Sequence, residues 1–192
     1  MKCIEREIKM KIFSPLILAS LFLLSVATAS SGDWIELKKA DVKIELPKDW
    51  IAQKDMLGMP LVIYSPIKNT GRVTISITPT GIEDAGLDAK GLAEGWDKYK
   101  EGRLNWLKRI GGRTDTVFPY VNENWKYLKN IHHVGHRYYL ADVHYTEHSY
   151  YVECHNQMFH IKSLYRYEEY KGEEQFIENV VKSFECKNKK VP

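Results

Sequence analysis

Alternating apolar and polar residues predict two β-hairpins in the first half of the chain. Residues 34–37 and 42–46 alternate on either side of a short polar turn, which is the pattern of strands with one buried face. Residues 61–64 form a short apolar run, and residues 72–78 alternate again after a turn that contains Gly71. We expect these two runs to pair as the second hairpin.

Helical periodicity predicts two helices. Apolar residues recur every three or four positions between residues 92 and 110, and Gly111-Gly112 follows as a stop signal. Residues 173–184 repeat this pattern near the end of the chain. Before the first helix, residues 79–91 contain one Pro and three Gly, and this composition predicts a mobile loop.

Four runs rich in aromatic and β-branched residues predict a strand meander between the two helices. They span residues 114–121, 125–131, 137–145 and 150–164, and we place the turn between the last two at Glu147-His148. Strand pairs, a helix, a meander and a closing helix give an α+β layout. We therefore expect one domain with a single, mostly antiparallel sheet flanked by helices.

The N-terminal residues have the pattern of an export signal. Lys9 and Lys11 precede an apolar stretch at 12–26, and Ala27-Thr28-Ala29 is a small-x-small cleavage site. The alternative is an uncleaved anchor, which the short, interrupted apolar stretch disfavours. We expect an exported protein, periplasmic or secreted, without stable membrane insertion after cleavage. The chain then divides into a cleaved signal peptide (1–29), a single domain (30–186) and a basic flexible tail (187–192).

Export makes the two remaining cysteines informative. Cleavage removes Cys3 and leaves Cys154 and Cys186. Two cysteines in an oxidising compartment predict one disulfide. The chain has no Cys-x-x-Cys motif, so we expect a structural bond rather than a redox pair.

Composition and charge exclude several classes of protein. The chain is 44% hydrophobic and 28% charged, which is typical of a folded domain and not of a disordered one. Residues 1–29 hold four of the 28 Lys and Arg and two of the 25 Asp and Glu, so the rest is almost neutral. A general nucleic-acid binder has a much more basic footprint.

Two short motifs and the order of elements carry a resemblance to a known family. A Leu-Pro-x-x-Trp step (Leu46, Pro47, Trp50) follows the first hairpin, and Phe-Ile-x-x-Val-Val-x-Ser-Phe (residues 176–184) forms the closing helix. This layout resembles the PsbP-like α/β/α sandwich, which includes extrinsic photosystem subunits, a Ran-binding nuclear-transport factor and exported bacterial proteins of unknown role. The resemblance covers most of residues 34–186. It implies an adaptor or binding module without catalysis.

The histidines suggest a second, metal-binding hypothesis. All seven lie between residues 132 and 160. With a hairpin turn at Glu147-His148, Asp142 would lie opposite Glu153, and His144 and His155 would occupy the diagonals. Two oxygen and two nitrogen ligands suit Zn or Cu as a divalent ion. The alternative is a solvated polar sheet face, because a slip of one residue in register would separate the four.

Tyrosines are abundant in the predicted meander, and the sequence has no recognised catalytic motif. Strands favour tyrosine, but so do binding surfaces, and we expect Tyr138 and Tyr151 to line a groove. Gly-x-Ser-x-Gly, His-Glu-x-x-His and the nucleotide-binding glycine motifs are absent from the sequence. We therefore predict an exported, monomeric, non-catalytic module that binds a protein or a small molecule. The alternative is a divalent-metal-binding protein, conceivably a metal-dependent hydrolase.

Overall fold

The computed structural model describes residues 33–38, 40–80 and 94–187. The predicted signal peptide, most of the predicted loop at 79–91 and the tail after Lys187 lie outside these residues. The described strands are β1 (Asp33–Leu37), β2 (Val42–Leu46), β3 (Ile51–Met56), β4 (Met59–Tyr64), β5 (Thr74–Pro79), β6 (Arg113–Glu123), β7 (Ile131–Leu140), β8 (Val143–Cys154), β9 (Gln157–Arg166) and β10 (Glu185–Cys186). The described helices are α1 (Trp96–Arg109), α2 (Tyr167–Tyr170) and α3 (Glu174–Lys182).

The strands form two sheets, so the prediction of a single sheet is wrong. Seven strands form one sheet in the order β3-β4-β5-β9-β8-β7-β6, and β1-β2-β10 form the other. All described strand pairs are antiparallel. The two predicted hairpins do form, as β1–β2 and β4–β5. Pro47 follows β2 and lacks the N–H that would continue its ladder. In addition to β1, β2 pairs with Glu185 and Cys186 of β10.

The meander has a different register from the predicted one. Two-residue turns at Ala141-Asp142 and His155-Asn156 connect β7, β8 and β9, and all four residues have positive φ. Such turns match the twist of the flanking strands. Glu147 and His148 lie in the middle of β8, so the predicted turn there is wrong.

Two other segments differ from prediction. Residues 125–131 were expected to form a strand, but only Ile131 belongs to β7. Trp125 and Leu128 in this segment bury their side chains in the core without joining the sheet. The polar strand β3, which among the described strands pairs only with β4, was not anticipated, because its sequence lacks the alternation that marks a half-buried strand.

The main core lies between the seven-stranded sheet, α3 and β2. Its buried members include Ile44, Ile75, Ile161, Ile177 and Val181. The predicted disulfide is present between Cys154 and Cys186, whose Cα atoms are 5.6 Å apart. It joins the end of β8 to β10 and so connects the two sheets.

The opposite face of the large sheet lies under α1. We call this the outer face, and we call the face that packs against α3 the inner face. Within the described segments, no helix is both long and apolar enough to cross a bilayer.

Candidate functional site

The four residues of the hypothetical metal site are not brought together. Asp142 lies in the β7–β8 turn with His144 just after it, whereas Glu153 and His155 lie at the other end of β8. His144 and Glu153 are nine positions apart on one strand, about 30 Å at about 3.3 Å per residue. The register of the ladder is the cause, because the turns fall at the two ends of β8 instead of its middle.

The histidines of that set have other partners. His144 lies between two carboxylates, with Nε2 3.3 Å from Asp115 and Nδ1 3.4 Å from Glu168. The Nε2 atom of His155 lies 2.7 Å from the backbone oxygen of Lys187. Among the described residues, no group of three or more His, Cys, Asp and Glu side chains is arranged to hold a metal ion.

Strand alternation divides the remaining histidines between the two faces. His136 pairs with Glu147 across β7 and β8 on the outer face, whereas His133 and His148 point to the inner face. One face therefore carries a carboxylate with a histidine beside it, and the other carries two histidines in contact. The correct register would have revealed this division from the sequence.

On the outer face, Arg103 of α1 is held by two partners from the sheet. Its Nη2 donates to Glu147 Oε1 at 3.1 Å and to His136 Nε2 at 2.7 Å. Burial lowers the pKa of His136 to about 4, so the ring is neutral at pH 7 and can accept this hydrogen bond. The Tyr138 hydroxyl donates to the second Glu147 oxygen at 3.4 Å. The void between α1 and the sheet here is about 10 Å³, room for one water molecule at most.

The two tyrosines predicted to line a groove both belong to the outer face. Tyr138 is only 5% exposed, and Tyr151 stacks on His160 with ring centres 4.8 Å apart. His160 Nε2 lies 2.9 Å from the hydroxyl of Ser149. This is a serine–histidine contact, but the neighbouring backbone amides belong to the β8 and β9 ladders and are not free to form an oxyanion hole. The role of Tyr138 and Tyr151 in binding stays a prediction.

On the inner face, His133 and His148 form a neutral pair. Their facing nitrogens, Nε2 and Nδ1, are 2.9 Å apart, so one ring donates its N–H to the other. Burial lowers the pKa of His148 to about 3 and also lowers that of His133. Gly135 makes room for this arrangement, because a Cβ there would lie 2.7 Å from His148 and 2.9 Å from Phe118. The rings of His148 and Phe118 stack over the glycine at 5.1 Å.

A cavity of about 170 Å³ lies between these inner-face side chains and α3. We call it the α3 cavity. The sheet contributes Arg137, His148 and Ser163 to its wall, and the helix contributes Glu174, Ile177 and Glu178. Pockets for drug-sized ligands measure about 300–1,000 Å³, so this cavity suits a smaller molecule.

Two charged residues of the α3 cavity have no ion-pair partner in the part of the chain that the structure describes. Glu178 is paired with Lys182 at 2.7 Å. The Arg137 guanidinium stacks on Tyr167 at 4.1 Å, but within the described segments no carboxylate lies within 4.0 Å of it and its buried Nε has no hydrogen-bond partner. Glu174 accepts a hydrogen bond from the Gly172 backbone at 2.6 Å and forms no ion pair with any described residue.

A larger cavity, of about 440 Å³, lies at the end of β1 next to the β3–β4 hairpin. Lys38, Lys54 and Asp55 in its wall are exposed, and Glu36 pairs with Lys187 at 2.8 Å. Solvated charges of this kind cost little and need no ligand. The α3 cavity is therefore the stronger candidate site, because its unpaired charges are partly buried.

Comparison with known proteins identifies the fold and nothing finer. No protein-family model matches the chain, and no relative was found among curated proteins. The solution structure of cyanobacterial PsbP (CyanoP) from Synechocystis is similar, with a TM-score of 0.58 and 12% identity over 83% of this chain and 95% of that one.

Two further structures match less well. One is a crystal structure from Bacteroides thetaiotaomicron, with a TM-score of 0.48 and 16% identity over 83% of this chain and 50% of that one. The other is the crystal structure of LpqN, described as involved in cell envelope biogenesis of Mycobacterium tuberculosis. Its TM-score is 0.43, with 13% identity over 79% of this chain and 80% of that one. We draw no argument from these two. The likeness to CyanoP shows that this chain has a PsbP-like fold.

Proposed function

We propose that this protein is an exported, monomeric, non-catalytic module that binds a small molecule with an anionic group in the α3 cavity. The observation that supports this proposal is Arg137. It is a partly buried cation beside a cavity, and no described carboxylate pairs with it.

The energetics of burial favour a ligand at this position. A charge that leaves water is costly unless it is paired and hydrogen-bonded. The ring of Tyr167 offsets only part of that cost, since a cation–π contact contributes about 0.5–2 kcal/mol. A carboxylate or phosphate in the cavity would accept from the guanidinium, which presents its N–H donors in a fork that matches either group.

Binding is favoured over catalysis because the cavity histidines are weak bases. A general base works best when its pKa lies near the operating pH. The pKa of His148 is lowered by burial to about 3, so its ring has little affinity for a substrate proton at pH 7. A neutral ring can still donate or accept a hydrogen bond to a ligand.

Export is supported by two features that are independent of the cavity. The Cys154–Cys186 disulfide belongs to the class of bonds that persist outside the cytoplasm. The pattern of residues 1–29 predicts a cleaved signal peptide. N-terminal sequencing of the protein recovered from the cell envelope or medium should begin at Ser30, and a start at Met1 or Met10 would contradict export with cleavage.

A thermal-shift experiment tests the binding role. The probes are inorganic phosphate, 4-methylpentanoate and L-leucine, with the wild-type protein and two variants. Arg137→Gln removes the cavity cation, and Arg72→Gln is the matched control, because Arg72 also stacks on a tyrosine but lies outside the cavity.

At least one probe should raise the Tm of the wild type and of Arg72→Gln, but not of Arg137→Gln. At 100 times the Kd, binding stabilises the native state by about 2.7 kcal/mol. If no probe has an effect, or if Arg137→Gln responds like the wild type, the proposed function is wrong.

A further inference from the structure

Glu174, the second charge in the α3 cavity without an ion pair among the described residues, narrows the class of ligand that the cavity fits. This inference rests on the proposed function. Arg137 is on the sheet wall and Glu174 is at the start of α3 on the opposite wall. The two side chains line one cavity, yet they do not form an ion pair with each other, since no ion pair within 4.0 Å includes either of them among the described residues.

Arg137 and Glu174 are the charged side chains of the cavity wall without an ion pair among the described residues. Glu178 pairs with Lys182, which lies 2.7 Å away and also contacts Glu123 at 2.9 Å. The cavity therefore presents one positive charge on the sheet and one negative charge on the helix that are not already paired. A ligand with a second negative charge would meet Glu174, and a ligand with only a positive charge would meet Arg137; either contact is unfavourable at close range.

The rest of the wall suits an apolar group. Ile177 and the ring of Phe118 line the same cavity. A volume of about 170 Å³ corresponds to five or six water molecules at about 30 Å³ each. A ligand of this size has room for two charged groups and a short aliphatic chain.

We propose that the α3 cavity binds a small zwitterion of the α-amino-acid type, with its carboxylate on Arg137 and its ammonium group on Glu174. The carboxylate accepts hydrogen bonds from the guanidinium. The ammonium group donates to the Glu174 oxygen that does not accept from Gly172. The side chain of the ligand contacts Ile177 and Phe118. Glu174 is thereby the residue that distinguishes an amino acid from a simple carboxylic acid.

Isothermal titration calorimetry with three matched probes tests this assignment. L-leucine carries both charged groups, 4-methylpentanoate lacks the ammonium group, and 3-methylbutylamine lacks the carboxylate. Glycine and L-phenylalanine extend the series to smaller and larger zwitterions, and inorganic phosphate is a purely anionic probe. Each probe is titrated into the wild type and into Arg137→Gln, Glu174→Gln and Glu173→Gln.

Glu173→Gln is the matched control for the helix charge. Glu173 precedes Glu174 in the chain, but its carboxylate pairs with Lys68 at 2.6 Å and does not line the cavity. Both glutamines keep the size of the original side chain, and both sites are partly exposed, so the variants should fold.

At least one zwitterion should bind the wild type and Glu173→Gln with a Kd below about 1 mM. The two single-charge probes should bind at least about tenfold more weakly. Arg137→Gln should weaken zwitterion binding by about 30-fold or more. Glu174→Gln should abolish the preference for L-leucine over 4-methylpentanoate.

Three results would overturn the inference, and they have different consequences. If 4-methylpentanoate or phosphate binds through Arg137 as tightly as L-leucine, the zwitterion assignment is wrong but the proposed function stands. If none of the probes, phosphate included, binds, both are wrong. A preference for L-leucine that survives Glu174→Gln would also contradict the assignment.

Discussion

Arg103 of α1 packs against the outer face of the seven-stranded sheet and Arg137 of β7 lies on its inner face, and the two differ in what surrounds them. On the outer face, Arg103 donates to Glu147 and His136, and the space around it is nearly filled. On the inner face, the described residues place only aromatic rings against the guanidinium of Arg137, and a cavity of about 170 Å³ lies beside it. The buried Nε of each arginine has no hydrogen-bond partner among the described residues. The two therefore differ in whether a carboxylate pairs with the guanidinium and in how much empty space lies beside it.

This comparison separates a structural charge from a candidate binding charge. Arg103 links α1 to the sheet, and its partners account for its position. The partial burial of the Arg137 charge costs free energy that the described residues do not offset, and an anionic ligand would offset it. The following predictions test this distinction, and the substitutions among them run from the largest expected effect on stability to the smallest.

Removal of the disulfide should separate stability from binding. The double change Cys154→Ser, Cys186→Ser opens a loop with a sequence separation of 32 and should lower the free energy of unfolding by about 3–4 kcal/mol. Because neither cysteine lines the α3 cavity, the Kd of any ligand found should not change below the unfolding transition. Urea denaturation and calorimetry measure the two quantities, and a loss of binding in the folded variant would contradict the assignment of the site.

Glu147→Gln should leave Arg103 without a carboxylate partner among the described residues, as Arg137 already is, although the hydrogen bond to His136 remains. Glu147 has a side chain only 8% exposed, whereas Arg103 is 27% exposed. The loss of one partner of a buried pair typically costs 3–5 kcal/mol, and the partial exposure of Arg103 places the expected loss at about 3 kcal/mol. Urea denaturation measures it. The control is Glu153→Gln, an exposed carboxylate on the same strand, which should change stability by less than about 0.5 kcal/mol.

Acid should destabilise the fold through histidines on both faces. Burial lowers the pKa of His136 to about 4 and that of His148 to about 3, whereas an unfolded histidine titrates near pH 6.5. Below pH 6.5 the unfolded state binds more protons, so stability falls as the pH decreases towards 4, by up to about 1.4 kcal/mol per pH unit for each histidine. Nearby charges also contribute to these pKa values. Glu147 raises the pKa of His136, whereas Arg103 and Lys162 lower it. The pKa of His148 is lowered further by His133, Arg137 and His136.

Urea denaturation at several pH values measures this slope. His136→Gln and His148→Gln should each reduce it. An unchanged slope in either variant would show that the corresponding ring is not held neutral in the native state.

Arg137→Gln should have the smallest effect on stability. It removes the contact with Tyr167, but it also removes a partly buried charge without a carboxylate partner, so the net change should stay below about 1 kcal/mol. Thermal and urea denaturation without ligand measure it. A loss as large as that of Glu147→Gln would show that Arg137 has a structural partner and would remove the main support for the site.

Local patterns were sufficient to predict several parts of the fold. Alternation identified the β1–β2 and β4–β5 hairpins, helical spacing identified α1 and α3, and the two cysteines that remain after the predicted cleavage identified the Cys154–Cys186 bond. The PsbP-like fold was expected from the Leu46-Pro47-Trp50 step and the closing helix. Each of these features depends on residues near one another in sequence or on a single possible pairing.

The candidate site could not be predicted, because it depends on register. The turns at Ala141-Asp142 and His155-Asn156 contain no glycine, although all four residues adopt positive φ, and the usual sequence signal for a hairpin turn is therefore missing. In the predicted register, the turn at Glu147-His148 placed Asp142 opposite Glu153. It also removed the pairing of His136 with Glu147 that the structure shows. The wall of the α3 cavity is built from four strands and a helix. These elements are distant in sequence, so no short motif predicts that they meet.

The most direct test of the account is an NMR titration that follows the Nε–Hε signals of both arginines in one sample. Arg137→Gln assigns its own signal by its loss. On addition of L-leucine, the Arg137 signal should shift and saturate because the ligand carboxylate binds its guanidinium, and the Arg103 signal should stay in place because Glu147 and His136 already hold it. Equal shifts of both signals, or a shift of Arg103 alone, would contradict the distinction between the two faces.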